Sequence, residues 1–110
     1  MSDNIAQDNE ELSFGLIAAS GAARRLAFEA LKEARNGNFD KADELMRQSQ
    51  ETFVSAHDTQ TQLLTREAQG NHIQLDVILV HAQDHLMTSM LAQELIVELI
   101  NLYRTKQDKQ

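Results

Sequence analysis

Two breaks rich in glycine and asparagine divide this proline-free chain of 110 residues into three long segments. At the first break, Asn36-Gly37-Asn38, the glycine can adopt the left-handed conformation that ends a helix, and Asn38 can cap the next helix. The second break, Gln69-Gly70-Asn71, has the same chemistry. Because the chain has no proline and only four glycines, each segment can be helical throughout. The sequence therefore predicts an all-α protein.

The apolar residues of the first two segments recur at helical spacing. The first helix is predicted from about residue 9 to Arg35, with apolar positions at Leu12, Leu16, Ala19, Ala23, Leu26, Ala27, Ala30, Leu31 and Ala34. The second is predicted from about Phe39 to Ala68, with apolar positions at Ala42, Leu45, Met46, Phe53, Ala56, Leu63 and Leu64. Both patterns predict one buried face on each helix.

The third helix is predicted to start between His72 and Leu75 and to run to about Lys106. Its β-branched opening, residues 73–80, also resembles a short strand, but a lone strand would have no pairing partner in this chain. Short turns between long helices predict an antiparallel up-down-up three-helix bundle over residues 9–106. Residues 1–8 and 107–110 are predicted to be flexible tails.

Composition excludes several functions. A net charge of −7 argues against non-specific nucleic-acid binding, which needs a basic face to displace counterions. The acidic surface suits a partner with a basic docking face, or only keeps the protein soluble. With no cysteine, disulfides, a thiolate nucleophile and cysteine-ligated zinc are excluded, which fits a reducing cytoplasm. No segment resembles a secretory signal or is apolar for long enough to span a membrane.

The third helix is apolar on two opposite sides. Five residues lie on or beside the line of Asp84: Val77, Val80, Leu91, Leu95 and Leu99. Five others lie roughly opposite: Leu79, Leu86, Met90, Val97 and Ile100. A three-helix monomer would bury only one of these sides and expose the other as a long apolar patch, which soluble monomers rarely tolerate. We therefore expect self-association through the third helix.

Four polar residues, His81, Asp84, His85 and Thr88, form one stripe on this helix because residues three and four apart share a face. Polar groups in apolar surroundings are costly to bury without partners. The surrounding string Leu79-Val80-His81-Ala82-Gln83-Asp84-His85-Leu86-Met87 resembles the active-site helix of the IIA component of the lactose/cellobiose (and diacetylchitobiose) class of bacterial sugar phosphotransferase systems. Further matches are Gly15-Leu16-Ile17, Ser20-Gly21 with Ala23-Arg24, Gly37-Asn38-Phe39 with Ala42, and Ala56-His57 with Gln60-Thr61. The resemblance covers roughly residues 12–104.

This resemblance implies a cytoplasmic phosphoryl carrier that forms a homotrimer. His81 would accept a phosphoryl group from the phosphorylated histidine phosphocarrier protein and pass it to the IIB component. The membrane IIC component would then import a disaccharide of the lactose, cellobiose or chitobiose type as it is phosphorylated. Asp84 from each of three subunits would bind one divalent cation, usually magnesium, on the trimer axis. No direct membrane insertion is implied.

Two alternatives remain open at the level of sequence. His81 and His85, with His57 as the one plausible extra ligand, could form a zinc site in a non-catalytic metal-binding bundle. The chain could also be a scaffold whose third helix only mediates oligomerisation. His85 itself has two interpretations, either a hydrogen-bond donor to a phosphoryl oxygen or a structural histidine bonded to a carbonyl. His57 is predicted to be a partly buried structural residue, and His72 to be solvated.

Overall fold

Three helices joined by one tight turn and one longer connection make up the computed structural model, which describes residues 2–109 and the side chains of residues 9–109. The helices are α1 (Ser2–Arg35), α2 (Phe39–Ala68) and α3 (Val77–Asp108). The predicted all-α, three-helix fold is confirmed. α1 begins before the predicted start near residue 9. The predicted flexibility of residues 1–8 and 107–110 stays a prediction, and Met1 and Gln110 lie outside the described residues.

Both breaks end a helix through a left-handed glycine, as predicted. Gly37 has φ +86° and Gly70 has φ +88°, values that L side chains rarely adopt. Asn38 occupies the N-cap position of α2, but its side chain does not cap the helix. Its amide instead donates to Glu33 Oε2 at 2.8 Å, because that carboxylate on the last turns of α1 lies within reach across the tight turn. The asparagine therefore ties α2 to α1.

The predicted start of α3 is wrong by two or more residues. Residues 71–76 have no regular structure, and the helix begins at Val77. The reason is Asp76, whose Oδ1 accepts a hydrogen bond of 2.7 Å from the backbone N–H of Leu79. This bond satisfies one of the free N–H groups of the first turn, so it fixes the helix start. The β-branched residues that follow are helical, and the strand interpretation is excluded for them.

α1 is the central helix of the bundle, since it packs extensively against both α2 and α3 while those two touch each other little. Small residues allow this close packing. One buried cluster contains Ala27, Ala30, Ala34, Ala42, Met46, Ile96 and Ile100. The other contains Leu16, Ala23, Phe53, Ala56, Ala82 and Leu86. Most of the predicted apolar positions of α1 and α2 are therefore in the core.

A buried serine links all three helices at the middle of the bundle. Ser49 of α2 donates to the carbonyl of Ala23 on α1 at 2.6 Å and accepts from Gln93 Nε2 of α3 at 2.9 Å. Because Ser49 is fully buried, these bonds offset the cost of removing its hydroxyl from water. The bundle measures 63 × 22 × 20 Å, so α3 presents a long outer surface.

Candidate functional site

The outer face of α3 carries a continuous exposed row of residues, which we call the α3 stripe. It consists of Val77, Val80, His81, Asp84, Thr88, Leu91, Leu95, Leu99 and Leu102. Its apolar members are 41% to 84% exposed. On the opposite side Leu79, Leu86 and Ile100 are buried. The predicted two-sided apolar character of this helix is confirmed, and one side has no cover in the single chain.

His81 and His85 lie together in the first half of α3. His81 is exposed, and its ring makes no hydrogen bond to the described part of the chain. His85 is half-buried one turn later. The two ring centres are 5.0 Å apart and the ring planes are inclined by 75°, so the edge of one imidazole faces the other ring. The two side chains are adjacent, as their places on one predicted stripe imply, but only His81 is exposed.

Asp84 lies in the middle of the α3 stripe. Its side chain is exposed and forms no ion pair within residues 9–109. Its neighbours on the stripe are Val80 and His81 one turn before and Thr88 one turn after, so the carboxylate stands in the polar part of the stripe. The hydroxyl of Thr88 donates to the backbone carbonyl of Asp84 at 2.8 Å and is thus turned toward the helix backbone.

The other two histidines lie away from this pair. His57 on α2 is exposed rather than partly buried, so the structural interpretation of this residue is wrong. It lines a cavity together with Gln50 and Gln93. His72 is exposed, as predicted, with Nδ1 at 2.7 Å from Glu67 Oε1. Among the described side chains no three histidine or carboxylate groups converge, so His57 does not complete a zinc site with His81 and His85.

One feature of His85 could not be read from the sequence. Its Nδ1 is buried and has no hydrogen-bond partner among the described residues. The only sequence signal is that position 85 lies at the boundary between the α3 stripe and the face that packs on α1. This predicts partial burial but not which nitrogen is enclosed.

The comparisons with known proteins agree with the family resemblance of the string around His81. The family model of the lactose/cellobiose-specific IIA subunit of the phosphotransferase system matches residues 11–104. The chain belongs to this family. It is therefore a phosphotransferase component of the lactose, cellobiose and chitobiose type.

Relatives of the IIA family span nearly the same length. The chain is 50% identical over 98 residues to the N,N'-diacetylchitobiose-specific EIIA component of Escherichia coli K12, covering 89% of this chain and 84% of the relative. It is 46% identical over 93 residues to the lactose-specific EIIA component of Streptococcus mutans, covering 84% of this chain and 89% of that one. The residues that the family model matches, 11–104, include most of the bundle and the site.

Solved IIA structures have the same fold. The cellobiose-specific enzyme IIA of Bacillus anthracis superposes with a TM-score of 0.87 at 42% identity, covering 93% of this chain and 94% of that one. The IIA component in the chitobiose IIA–HPr complex of Escherichia coli gives 0.77 at 47% identity, covering 90% and 96%. No helix in the described part of this IIA chain combines the length and hydrophobicity that a membrane span requires.

Proposed function

We propose that His81 of this cytoplasmic IIA component accepts a phosphoryl group from the histidine phosphocarrier protein and transfers it to a IIB component. The observation that carries the proposal is the exposed imidazole of His81, which has no hydrogen-bond partner among the described residues and lies within the string that resembles the family. The related chitobiose IIA component of Escherichia coli was solved in complex with HPr, which supports this donor. The IIC component would act indirectly, by importing the disaccharide that receives the phosphate.

The chemistry requires an accessible nucleophile. Imidazole is mostly neutral near pH 7 and then carries a nucleophilic lone pair. In the first transfer the P–N bond of the donor breaks while a P–N bond to His81 forms; the second transfer breaks that bond as the IIB component takes the phosphoryl group. Such a transfer depends on positioning and charge stabilisation more than on covalent machinery. Because both partners are proteins, the ring must project from the surface, as the ring of His81 does.

Phosphorylation in vitro tests this role. The protein is incubated with phosphoenolpyruvate and the two general phosphotransferase components, and intact-mass and peptide mass spectrometry locate the phosphate. We expect one acid-labile, base-stable phosphate on His81, absent in His81→Ala. His57→Ala is the matched control, because it removes another exposed histidine and should leave the phosphate in place. Phosphate that persists in His81→Ala, or never appears, contradicts the proposal.

We further propose a homotrimer in which the α3 stripes of three subunits face a common axis. The support is the exposed apolar row, which the single chain leaves uncovered. Three Asp84 carboxylates would then meet on this axis and repel by about 4 kcal/mol per pair at roughly 4 Å and an effective dielectric of about 20. Carboxylate oxygens are natural ligands for a hard divalent cation such as magnesium.

The carboxylate ligands that a divalent cation needs would come together only in the proposed trimer. Each chain contributes one exposed carboxylate at Asp84, and the described residues of one chain bring no three ligands together. When bound, the cation would neutralise the carboxylates and stabilise the trimer. It would have no part in the transfer step.

Replacing Asp84 tests the arrangement. We expect Asp84→Leu to remain a trimer of equal or greater stability, because apolar packing often replaces a buried charge cluster without loss. Sedimentation with and without a chelator should show that magnesium affects the stability of the wild-type trimer but not that of the variant. Asp58→Leu, which alters an exposed aspartate on α2, should keep the wild-type response. A monomeric Asp84→Leu protein would disprove this account of the axis.

A further inference from the structure

A small cleft lies at the end of the bundle remote from His81, and all three helices contribute to its wall. Its volume is about 200 Å³, smaller than the roughly 300–1,000 Å³ of pockets for drug-sized ligands. Tyr103, on its wall, follows His81 by about six turns of α3, or roughly 33 Å at about 1.5 Å per residue. The cleft is therefore separate from the proposed transfer site and suits a small ligand. The lining residues are Ala34, Arg35, Phe39, Tyr103, Lys106 and Gln107.

Two of these side chains, Arg35 and Lys106, are cations that form no ion pair within residues 9–109. Acidic residues outnumber basic ones by 17 to 10 in this chain, yet no acidic side chain of the described residues lines the cleft. Asp43, at the same end of the bundle, pairs with Arg104 at 2.7 Å instead. The cleft therefore presents two positive charges with no carboxylate paired to them in the described part of the chain.

Both cations lie in the last turn of a helix, where a positive charge offsets the partial negative charge of the helix end. That role needs neither a cleft nor further polar groups. Here the hydroxyl of Tyr103 and the side-chain amide of Gln107 line the same cleft, and both can donate hydrogen bonds. Cations and neutral donors around one space are the chemistry of an anion site.

The aromatic part of the wall is fixed by packing. Phe39 and Tyr103 both pack against the buried alanine-rich cluster at this end of the bundle. The guanidinium carbon of Arg104 lies 5.2 Å from the centre of the Phe39 ring. Because these groups are already ordered, an anion that enters the cleft has to restrict little more than the flexible side chains of Arg35 and Lys106.

The two charges select the class of anion. The planar fork of an arginine can bind two oxygens of a phosphate group, and a lysine adds a compact positive charge. A phosphate monoester carries about −1.5 to −2 charges near pH 7, which matches one guanidinium and one ammonium group. A monocarboxylate carries a single charge and would leave one cation unpaired. The charges of the cleft therefore suit a phosphate group.

We propose that the cleft binds a small phosphate-bearing anion between Arg35 and Lys106, with Tyr103 and Gln107 as further hydrogen-bond donors. The bound anion bridges the ends of α1 and α3 and stabilises that end of the bundle. It binds without reacting, so none of its bonds forms or breaks. Two sources share this chemistry, free inorganic phosphate and the phosphate group of a small metabolite, and titration with both distinguishes them.

Nuclear magnetic resonance titration of the ¹⁵N-labelled full chain tests the site. Inorganic phosphate, glucose 6-phosphate and acetate are added separately in phosphate-free buffer at constant ionic strength. We expect saturable amide shifts around Arg35, Phe39 and Tyr103 with inorganic phosphate, and binding of acetate that is weaker by roughly tenfold or more. Equal binding of glucose 6-phosphate would identify the phosphate group itself as the ligand, whereas binding of inorganic phosphate alone would mean that the cleft has no room for an ester.

Single substitutions then test the two cations. Arg35→Gln and Lys106→Gln should each weaken phosphate binding by roughly tenfold or more, since each removes a charge-assisted contact. Lys32→Gln is the matched control, because it removes the same charge from an exposed side chain one turn before Arg35 that does not line the cleft. Its effect should be less than about twofold at physiological salt, where the Debye length is about 8 Å.

Thermal unfolding of the same proteins checks the bridging role. Phosphate should raise the unfolding temperature of the wild type but not that of Arg35→Gln, because only the wild type keeps the complete site. If Arg35→Gln instead lowers the unfolding temperature by the same amount with and without phosphate, this cation only offsets the dipole of α1 and the inference is wrong.

Three results of the titrations would also overturn the inference. Shifts that do not saturate, or that centre on His81, would mean that the cleft is not the binding site. An equal loss of affinity in Lys32→Gln and Arg35→Gln would mean that only the general positive charge of this end attracts the anion. Acetate that binds as tightly as phosphate would mean that the cleft does not select the phosphate group.

Discussion

A charge placed in the α3 stripe at Leu95 should dissociate the proposed trimer. Leu95 is 55% exposed in the single chain, so more than half of its side chain remains to be buried by a neighbour. Complete burial of a leucine contributes about 1.5–3 kcal/mol, so this residue would contribute about 1 kcal/mol per chain and roughly 3 kcal/mol per trimer. A glutamate at this position loses that contribution and adds repulsion between three carboxylates.

The apolar loss alone corresponds to a fall of about a hundredfold in the trimer association constant, since roughly 1.4 kcal/mol is a factor of ten. Sedimentation velocity at matched concentrations should show the mass of Leu95→Glu move from trimer toward monomer. Its far-ultraviolet circular dichroism should stay helical, because this residue contributes little to the core of the single chain.

The control is Phe14→Glu on α1, where the native side chain is 52% exposed but lies outside the α3 stripe. We expect it to keep the wild-type mass. A Leu95→Glu protein that remains a trimer, or a Phe14→Glu protein that dissociates equally, would show that another surface holds the subunits together.

Three further predictions concern the single chain. Asp76→Ala should lower the free energy of unfolding by about 1 kcal/mol in urea titration, because it removes the cap of α3. Asp76→Asn, which can still cap the helix, should cost less, and an equal or larger cost would contradict the capping explanation. Leu86→Ala should cost about 2–5 kcal/mol by the same measurement, because the native side chain is completely buried, and a cost below that range would mean that the core refills the space. Hydrogen bonds, first from Arg47 and then from Gln48, lower the pKa of Glu44 from 4.5 to about 2. An NMR titration of Arg47→Ala should therefore find the pKa of Glu44 raised toward 4.5. A wild-type pKa already near 4.5 would disprove the interaction.

The large features of the fold follow from the sequence because they depend on local chemistry. The left-handed glycines at positions 37 and 70 could be predicted, since the two breaks are the main interruptions of a chain rich in helix formers. The exposed side of α3 could also be predicted. A helix that is apolar on opposite sides has more apolar surface than two neighbouring helices can cover.

The features that the sequence did not predict depend on competition between possible partners. Asp76 stands within an apolar stretch that continues the helical pattern, and only the structure shows its carboxylate bonded to the N–H of Leu79. Asn38 has the residue type of a cap but bonds Glu33 instead. The enclosed Nδ1 of His85 depends on how the helices pack around it, which no pattern within a single helix determines.

The order of residues along the α3 stripe reconciles two requirements that oppose each other. The proposed phosphoryl transfer needs His81 accessible to two protein partners, whereas the proposed trimer needs the same helix face buried. The polar residues of the stripe lie toward its N-terminal half, and its C-terminal half is lined by Leu91, Leu95, Leu99 and Leu102. Leucines in that half can supply most of the association energy at a distance from His81, so the imidazole can remain at an open edge of the subunit boundary. The proposed association and the proposed phosphoryl transfer can therefore use one helix, because its two halves would divide these tasks.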